Sequence, residues 1–492
     1  MRDLRARTIR ATGWVLGSQI WSQIISFGFG IALARLLGPD DFGLIAMVLV
    51  FTGFAGLLSD IGLGSALVQK TDIRDDHYDA VFWLNASLGG ALAVAFFLSA
   101  PLISAFYGRP EIDGICKALA LTFPIGALAL VPNTRLVKEL SFKYVALSDL
   151  VALILSGMVA VTMAAMGMGY WSLVAQIISR RLITTLIVWA VSDWRPGYPE
   201  TLRPVRELIG FSSSVFGTRA LRYASNNIDR LLLGRYLDGQ ALGIYDKAHS
   251  MMLFPLQNVS HVIGRVMFPS LSLIQSDTER VKAIYLRSTQ AIALLTFPMM
   301  AGMFVVADSF VLGVLGPSWA DLIPILRIFC VTGIMTSIVT VTGALYLSQG
   351  AAALDLRVNL VTQPLRMACI ALGLFWGVPG VATGYLAASF IGSLITLTVA
   401  GRLIDLRLST LVRSLSPTLF PTSVMAGLVW AVRPLSGIHN ELILFLVQTA
   451  SGILIYLPLV ALMKLPAYLD VAQIFCKELT HWRRREPASD SN

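Results

Sequence analysis

Fourteen apolar stretches, each long enough to cross a bilayer, follow one another along this chain with only short breaks between them. They lie near 13–37, 42–68, 80–105, 115–135, 146–167, 170–191, 208–233, 241–268, 284–307, 322–347, 358–377, 379–401, 415–433 and 441–463. A spanning helix needs about 20 mostly apolar residues. Inside lipid every backbone polar group must be bonded within the protein, so stretches of this length fold as helices. The expected fold is therefore an all-α polytopic membrane protein with about 14 transmembrane helices. Composition agrees: 56% of the 492 residues are hydrophobic and 14% are charged, whereas a soluble protein carries about a quarter charged residues.

Two pairs of stretches need a turn to separate them. Gly167-Met168-Gly169 parts 146–167 from 170–191, and Gly377-Val378-Pro379 parts 358–377 from 379–401. An even number of spans with a basic start puts both ends in the cytoplasm. Of 38 Lys and Arg residues, 28 fall in segments then assigned to the inside, counting among them Arg2, Arg5, Arg7, Arg10, Arg180, Arg181, Arg366 and Arg483–Arg485. That bias obeys the positive-inside rule. The net charge of +9 thus belongs to the loops and does not point to nucleic acid. The basic start followed by an apolar run imitates a secretion signal. The run from Gly13 to Leu37 is longer than the usual 7–15-residue signal core and holds Gln19 and Gln23, so it is expected to be the first span. The four cysteines, Cys116, Cys330, Cys369 and Cys476, are far apart and read as small buried hydrophobes.

The longest polar break in mid-chain is 192–207, with three prolines. It reads as a cytoplasmic linker between an N-lobe (1–191, spans 1–6) and a C-lobe (208–401, spans 7–12). Residues 402–463 add two spans. The tail, 464–492, begins as an interfacial helix over Tyr468–Trp482 and ends on a basic anchor for the inner leaflet. An internal repeat supports the two lobes. Shifted by 200 residues, Val15, Gly17, Arg35, Leu37 and Gly43 fall on Val215, Gly217, Arg235, Leu237 and Gly243. Both copies run outward, as in a parallel repeat about an axis along the membrane normal.

The seventh stretch carries the chemistry. Over 208–233 it places Arg219, Arg222, Asn226, Asp229 and Arg230 within an arc of roughly 100° on a helix. Leu221, Ala224, Ile228, Leu231 and Leu232 occupy the other side. An arginine at a helix centre in lipid costs roughly 2.5–3.5 kcal/mol by insertion scales. Such a stripe belongs on a water-filled cavity, and a cationic cavity invites an anion; the alternative is that acids on neighbouring helices neutralise it. In the first copy of the repeat the corresponding stripe is Gln19, Ser22 and Ser26, neutral and polar, expected to line the same cavity.

Other features read as structure. No phosphate-binding GxxxxGK loop and no HExxH pattern occurs, and the histidines are scattered. Asp75-Asp76-His77-Tyr78-Asp79 has the oxygen ligands of a Mg²⁺–diphosphate site, but no second aspartate-rich loop accompanies it; it reads as a loop that caps the next helix. Asp60 is either an arginine partner or a titrating site for a coupling ion. Arg35 and Arg235 stand where they can cap helix C-termini. Arg327 and Asp308 look interfacial. No cofactor is expected, and the energy source is open between H⁺ or Na⁺ exchange and the product gradient.

Four motifs then stand together: LARLLGPDDFG at 33–43, SDIGLGSALVQ at 59–69, NIDRLLLGRYL at 227–237 and FPSLS at 268–272. With them the chain resembles the polysaccharide-transport branch, including the Wzx-type flippases, of the multidrug/oligosaccharidyl-lipid/polysaccharide exporters. The resemblance implies a MATE-like fold of two six-helix lobes around a central cavity, with two extra C-terminal helices and alternating access. It implies a non-enzymatic function: turning undecaprenyl-diphosphate-linked oligosaccharide units across a bacterial inner membrane for surface polysaccharide. Partners would be the lipid-linked substrate, membrane lipids and the polymerase and export machinery, with the protein itself a monomer. Arg219 and Arg222 would then hold the diphosphate in mid-membrane, Arg230 would receive it nearer the outer face, and Asn226 and Asp229 would meet sugar hydroxyls, since arginine forks match phosphate oxygens. The competing readings are a lipid II-type flippase and, from another class, a membrane prenyl- or glycosyltransferase. A drug-cation exporter would want acids where this chain has arginines.

Overall fold

Every regular element among the described residues of the computed structural model is helical; the structure describes residues 2–59, 63–69, 73–198, 223, 226–463 and 468. The chain divides into two units, Met1–Asp246 and Lys247–Asn492.

The first unit begins with α1 (Arg2–Leu36), α2 (Pro39–Ser59), α3 (Leu63–Gln69) and α4 (Asp75–Tyr107). It continues with α5 (Glu111–Leu119), α6 (Thr122–Lys138), α7 (Phe142–Ala165) and α8 (Trp171–Val191), and residues 226–236 form α9. The stretch expected over 115–135 is thus two helices, α5 and α6, and starts earlier. Gly167 and Gly169, both at positive φ (78° and 54°), turn the chain between α7 and α8, which pack along each other. Within this unit α1 lies on α7, and α6 lies on both α4 and α8. At one end Trp194 is buried with Tyr78, Phe82 and Val131. The Gly197 amide donates to Asp79 at 3.0 Å and Trp83 stacks on Tyr198. The first residues of the expected linker are therefore docked against α4.

α10 (Gly239–Ser272) starts in the first unit and ends in the second. Its first turns cross those of α2 with backbone against backbone. A Cβ on Gly43 would overlap the Gly239 carbonyl, and one on Gly243 would overlap the Pro39 carbonyl. Positions 43 and 243, and 39 and 239, are equivalents in the 200-residue repeat, so the contact is reciprocal. Beside it Arg109 reaches Asp40 at 2.6 Å and Glu111 at 3.5 Å. Burial disfavours the charged guanidinium of Arg109, but these carboxylates outweigh it and push its pKa up.

The second unit holds α11 (Thr278–Val305), α12 (Ala307–Phe310), α13 (Leu322–Val339), α14 (Thr342–Ser348), α15 (Ala352–Gly373), α16 (Gly377–Leu403), α17 (Leu408–Ser436) and α18 (Glu441–Leu462). One turn of π-helix and one of 3-10 helix join α12 to α13 and bury Trp319 completely. α15 and α16 form a hairpin that turns at Gly377 (φ 68°). The core of the second unit runs from Tyr285, Ile292 and Phe297 to Leu345, Tyr346, Leu411 and Leu415. α17 and α18 belong to this unit. Ser309 donates to the buried Gln448, the Tyr456 hydroxyl donates to Leu294 O at 2.7 Å, and Asp308 pairs with Arg327 (2.8 Å) and Arg433 (3.0 Å).

Ten stretches among the described residues are long and apolar enough to cross a membrane, with α15 and α16 counted as one continuous stretch. They present Leu98, Leu102, Trp430 and Leu454 to the exterior, as surface meant for acyl chains must. This is a multi-pass membrane protein. The count of fourteen rests on the sequence pattern.

Candidate functional site

Polar groups inside membrane-length helices are the place to look, because each must be matched or hydrated. Arg219, Arg222 and Asp60 lie outside the described residues. The neighbouring Tyr223 hydroxyl donates to the carbonyls of Leu49 (3.1 Å) and Val50 (3.0 Å) midway along α2. Asn226 is exposed on α9. Asp229 is buried, 3% exposed, and accepts from the Tyr245 hydroxyl of α10 at 2.9 Å. Arg230 is half-buried; its Nε donates to Asp246 at 2.6 Å and its Nη1 to Asn227 at 2.8 Å. The two charged residues at the end of the stripe thus brace α9 against α10.

On α1, Gln19 and Ser26 are exposed and Ser22 is half-buried. α1 packs on α7, with the Phe29 ring against Gly157. α7 in turn packs on α8, where the structure places cations that the loop census had assigned to the inside. Arg180 and Arg181 stand midway along the 21-residue α8 and both are exposed. That assignment is corrected: a helix running from Trp171 to Val191 carries both guanidiniums into the membrane interior, so neither is a loop charge. Arg366 is corrected in the same way, since α15 runs past it to Gly373. A cue was present in the sequence, namely charge roughly midway between the ends of an apolar run.

The surroundings of the α8 pair are polar. Gln176, Arg180 and Thr184, four residues apart, share a helix face. Arg181 lies across α6 with its Nε 3.4 Å from where a Cβ on Gly126 would stand. Asp149 of α7 is the acidic group on which both arginines act electrostatically. Thr185, one turn on from Arg181, packs on the same helix, donating to Ile125 O of α6 at 3.1 Å. Among the described residues, two guanidiniums act on this one carboxylate, which leaves an excess of positive charge along α8. Chemically, that lining suits an anion.

The aspartate-rich run is engaged by the protein. Asp76 meets His77 Nδ1 at 2.9 Å and Arg74 at 3.2 Å, Asp75 lies 3.8 Å from Arg135, and Asp79 holds the Gly197 amide. Asp75 and Asp76 stand in the first turn of α4, where negative charge is favoured.

Residues 32–324 match the model of a family described as polysaccharide biosynthesis proteins. That is more than half of the chain, and it contains all four motifs singled out in the sequence. The chain belongs to this family. Among family relatives it is 27% identical over 405 residues to the lipopolysaccharide biosynthesis protein WzxC of Escherichia coli (strain K12), covering 80% of this chain and 81% of that one. It is 28% identical over 419 residues to the teichuronic acid biosynthesis protein TuaB of Bacillus subtilis (strain 168), covering 82% and 85%. It is 28% identical over 335 residues to the succinoglycan biosynthesis transport protein ExoT of Rhizobium meliloti (strain 1021), covering 68% of each. The fold of this family member is similar to that of the lipid II flippase MurJ in an inward closed conformation, at TM-score 0.73 and 15% identity over 92% of this chain and 98% of that one. It is also similar to an inward-facing MATE transporter of the MOP superfamily, at TM-score 0.62 and 16% identity over 80% and 96%. The fold is MATE/MurJ-like, and the resemblance read from the four motifs holds.

Proposed function

We propose that this chain is a flippase. It carries polyprenyl-diphosphate-linked oligosaccharide units from the inner to the outer leaflet of a bacterial inner membrane, for surface polysaccharide. Its two lobes, 1–191 and 208–401, alternate their access, and both termini are cytoplasmic. It catalyses no covalent step; H⁺ or Na⁺ exchange or the product gradient drives it, and polymerase and export machinery take the product.

The observation that carries this reading is the exposed Arg180–Arg181 pair midway along a helix of membrane length. A lipid diphosphate is an anion that must cross hydrocarbon, and a guanidinium fork offers it paired donors without proton transfer. Arg219 and Arg222 extend the same logic to the seventh span, with Asn226 beyond them and Gln19, Ser22 and Ser26 as neutral lining, while Asp229 and Arg230 hold that span to α10. The names of the relatives, concerned with lipopolysaccharide, teichuronic acid and succinoglycan, support the substrate class. A lipid II-type flippase is the second reading, favoured by the MurJ-like fold.

The test is reconstitution of the full chain in vesicles with a fluorescent lipid-diphosphate saccharide and, separately, fluorescent lipid II. Wild type is expected to translocate the first faster. Arg180→Ala/Arg181→Ala, and independently Arg219→Ala/Arg222→Ala, are expected to lose about 10²-fold or more in rate, two charge-assisted contacts at roughly 1.5–3 kcal/mol each, with unchanged protein abundance. Unaltered rates in both double variants would remove the diphosphate role. Preference for lipid II would move the substrate to the second reading.

A further inference from the structure

The second unit has a polar site of its own, which the motifs do not mark. α15 is of membrane length, yet Asp355, Asn359, Gln363 and Arg366 follow at spacings of four, four and three and so share one face. Asn359 is engaged with Asp355 at 2.9 and 3.1 Å. Two turns further along α15, the Arg366 guanidinium lies 5.8 Å from the centre of the Tyr385 ring of α16. Tyr385 stands edge-on to Phe329 of α13 (5.8 Å) and to His249 of α10 (5.5 Å). Close backbone contact of Gly384 with Cys369 holds the two helices together at this level. The Gln363 Oε1 is shut off from solvent and accepts no hydrogen bond among the described residues. Pro364, next to it, has no amide hydrogen for the carbonyl four residues back. The helix stays continuous through Pro364, and a polar acceptor left unmet inside a membrane-length helix is costly unless a ligand meets it.

We infer that Gln363, Arg366 and Tyr385 form a saccharide subsite in the second unit, which recognises the glycan of the substrate and not its diphosphate. The assignment rests on the flippase reading and deepens it. The chemistry separates the two ligands. Arg366 by itself would accept a phosphate, but its guanidinium lies against the Tyr385 ring, and the carbonyl acceptor and electron-rich ring faces beside it repel one. A sugar ring suits all three groups: one hydroxyl accepts from Arg366, the C–H face lies on the Tyr385 ring, and another hydroxyl donates to Gln363 Oε1 once that side chain turns out of its covered position.

Binding of two probes to the full chain in nanodiscs tests this. One is decaprenyl diphosphate. The other is the lipid-linked saccharide extracted from cells lacking this protein. Gln363→Leu and Arg366→Met are expected to bind the saccharide lipid about tenfold more weakly while binding the bare diphosphate lipid within about twofold of wild type, because a site built for hydroxyls loses its discrimination when a partner is removed. Arg366→Lys, which keeps the charge without the fork, is expected to behave like Arg366→Met. Melting temperatures of the variants check their folding. Saccharide binding at the wild-type level in both Gln363→Leu and Arg366→Met overturns the subsite, as does an equal loss for both lipids. If wild type binds neither lipid, the flippase reading itself falls and the subsite with it.

Discussion

Asp229 is turned into α10, where Tyr245 donates to it, and Arg230 next to it bonds Asp246 of the same helix. A helical stripe drawn from sequence places both on one polar face, and it cannot show what stands opposite. Tyr245→Phe keeps the ring and removes the donor from a nearly inaccessible carboxylate. It is expected to destabilise the protein by about 1–3 kcal/mol, the cost of an unmet buried group, seen as a lower melting temperature in detergent. A melting temperature equal to wild type would show that Asp229 needs no such partner. Arg180 and Arg181 make the opposite point: counted with the loops from sequence, they stand mid-helix because α8 continues for ten residues past Arg181 to Val191.

Among elements, the hairpin of α15 and α16 was legible as two apolar runs with Gly377 between them. What brings the runs together was hidden in residues without side chains. Gly373 and Gly380 abut each other's carbonyls, and Gly384 abuts that of Cys369. Small residues let membrane helices approach through van der Waals contact, since apolar burial offers little drive between helices in lipid. Gly384→Leu must push α16 away from α15. It is expected to lower the yield of monodisperse protein on size-exclusion chromatography, whereas Leu372→Ala, at an exposed position, leaves it unchanged. Equal elution of both variants would contradict a packing role. The 200-residue repeat gained meaning in the same way, because Gly43 meets Gly239 and its equivalent Gly243 meets Pro39, the equivalent of Gly239.

For the molecule as a whole, the last two helices are bound into the second unit by bonds that the sequence pattern does not reveal. Without α17 and α18, Ser309 would lose Gln448, Asp308 would lose Arg433, and the core would lose Leu411 and Leu415. A chain ended after residue 403 is therefore expected to give no stable protein, judged by fluorescence-detected chromatography of membrane extracts. Wild-type yield and melting temperature from that truncation would show these helices to be dispensable for folding.

The apolar run lengths alone were enough for an all-helical membrane protein, because lipid offers the backbone no other hydrogen-bond partner. Four short motifs led to the family, since each is contiguous in the chain. Which intramembrane charges are matched and which are left in excess came from packing. Asp246 reaches Arg230, and Asp149 comes within the field of Arg180 and Arg181, only after separate helices lie side by side, and Coulomb energy depends on that distance and on nothing a linear pattern records.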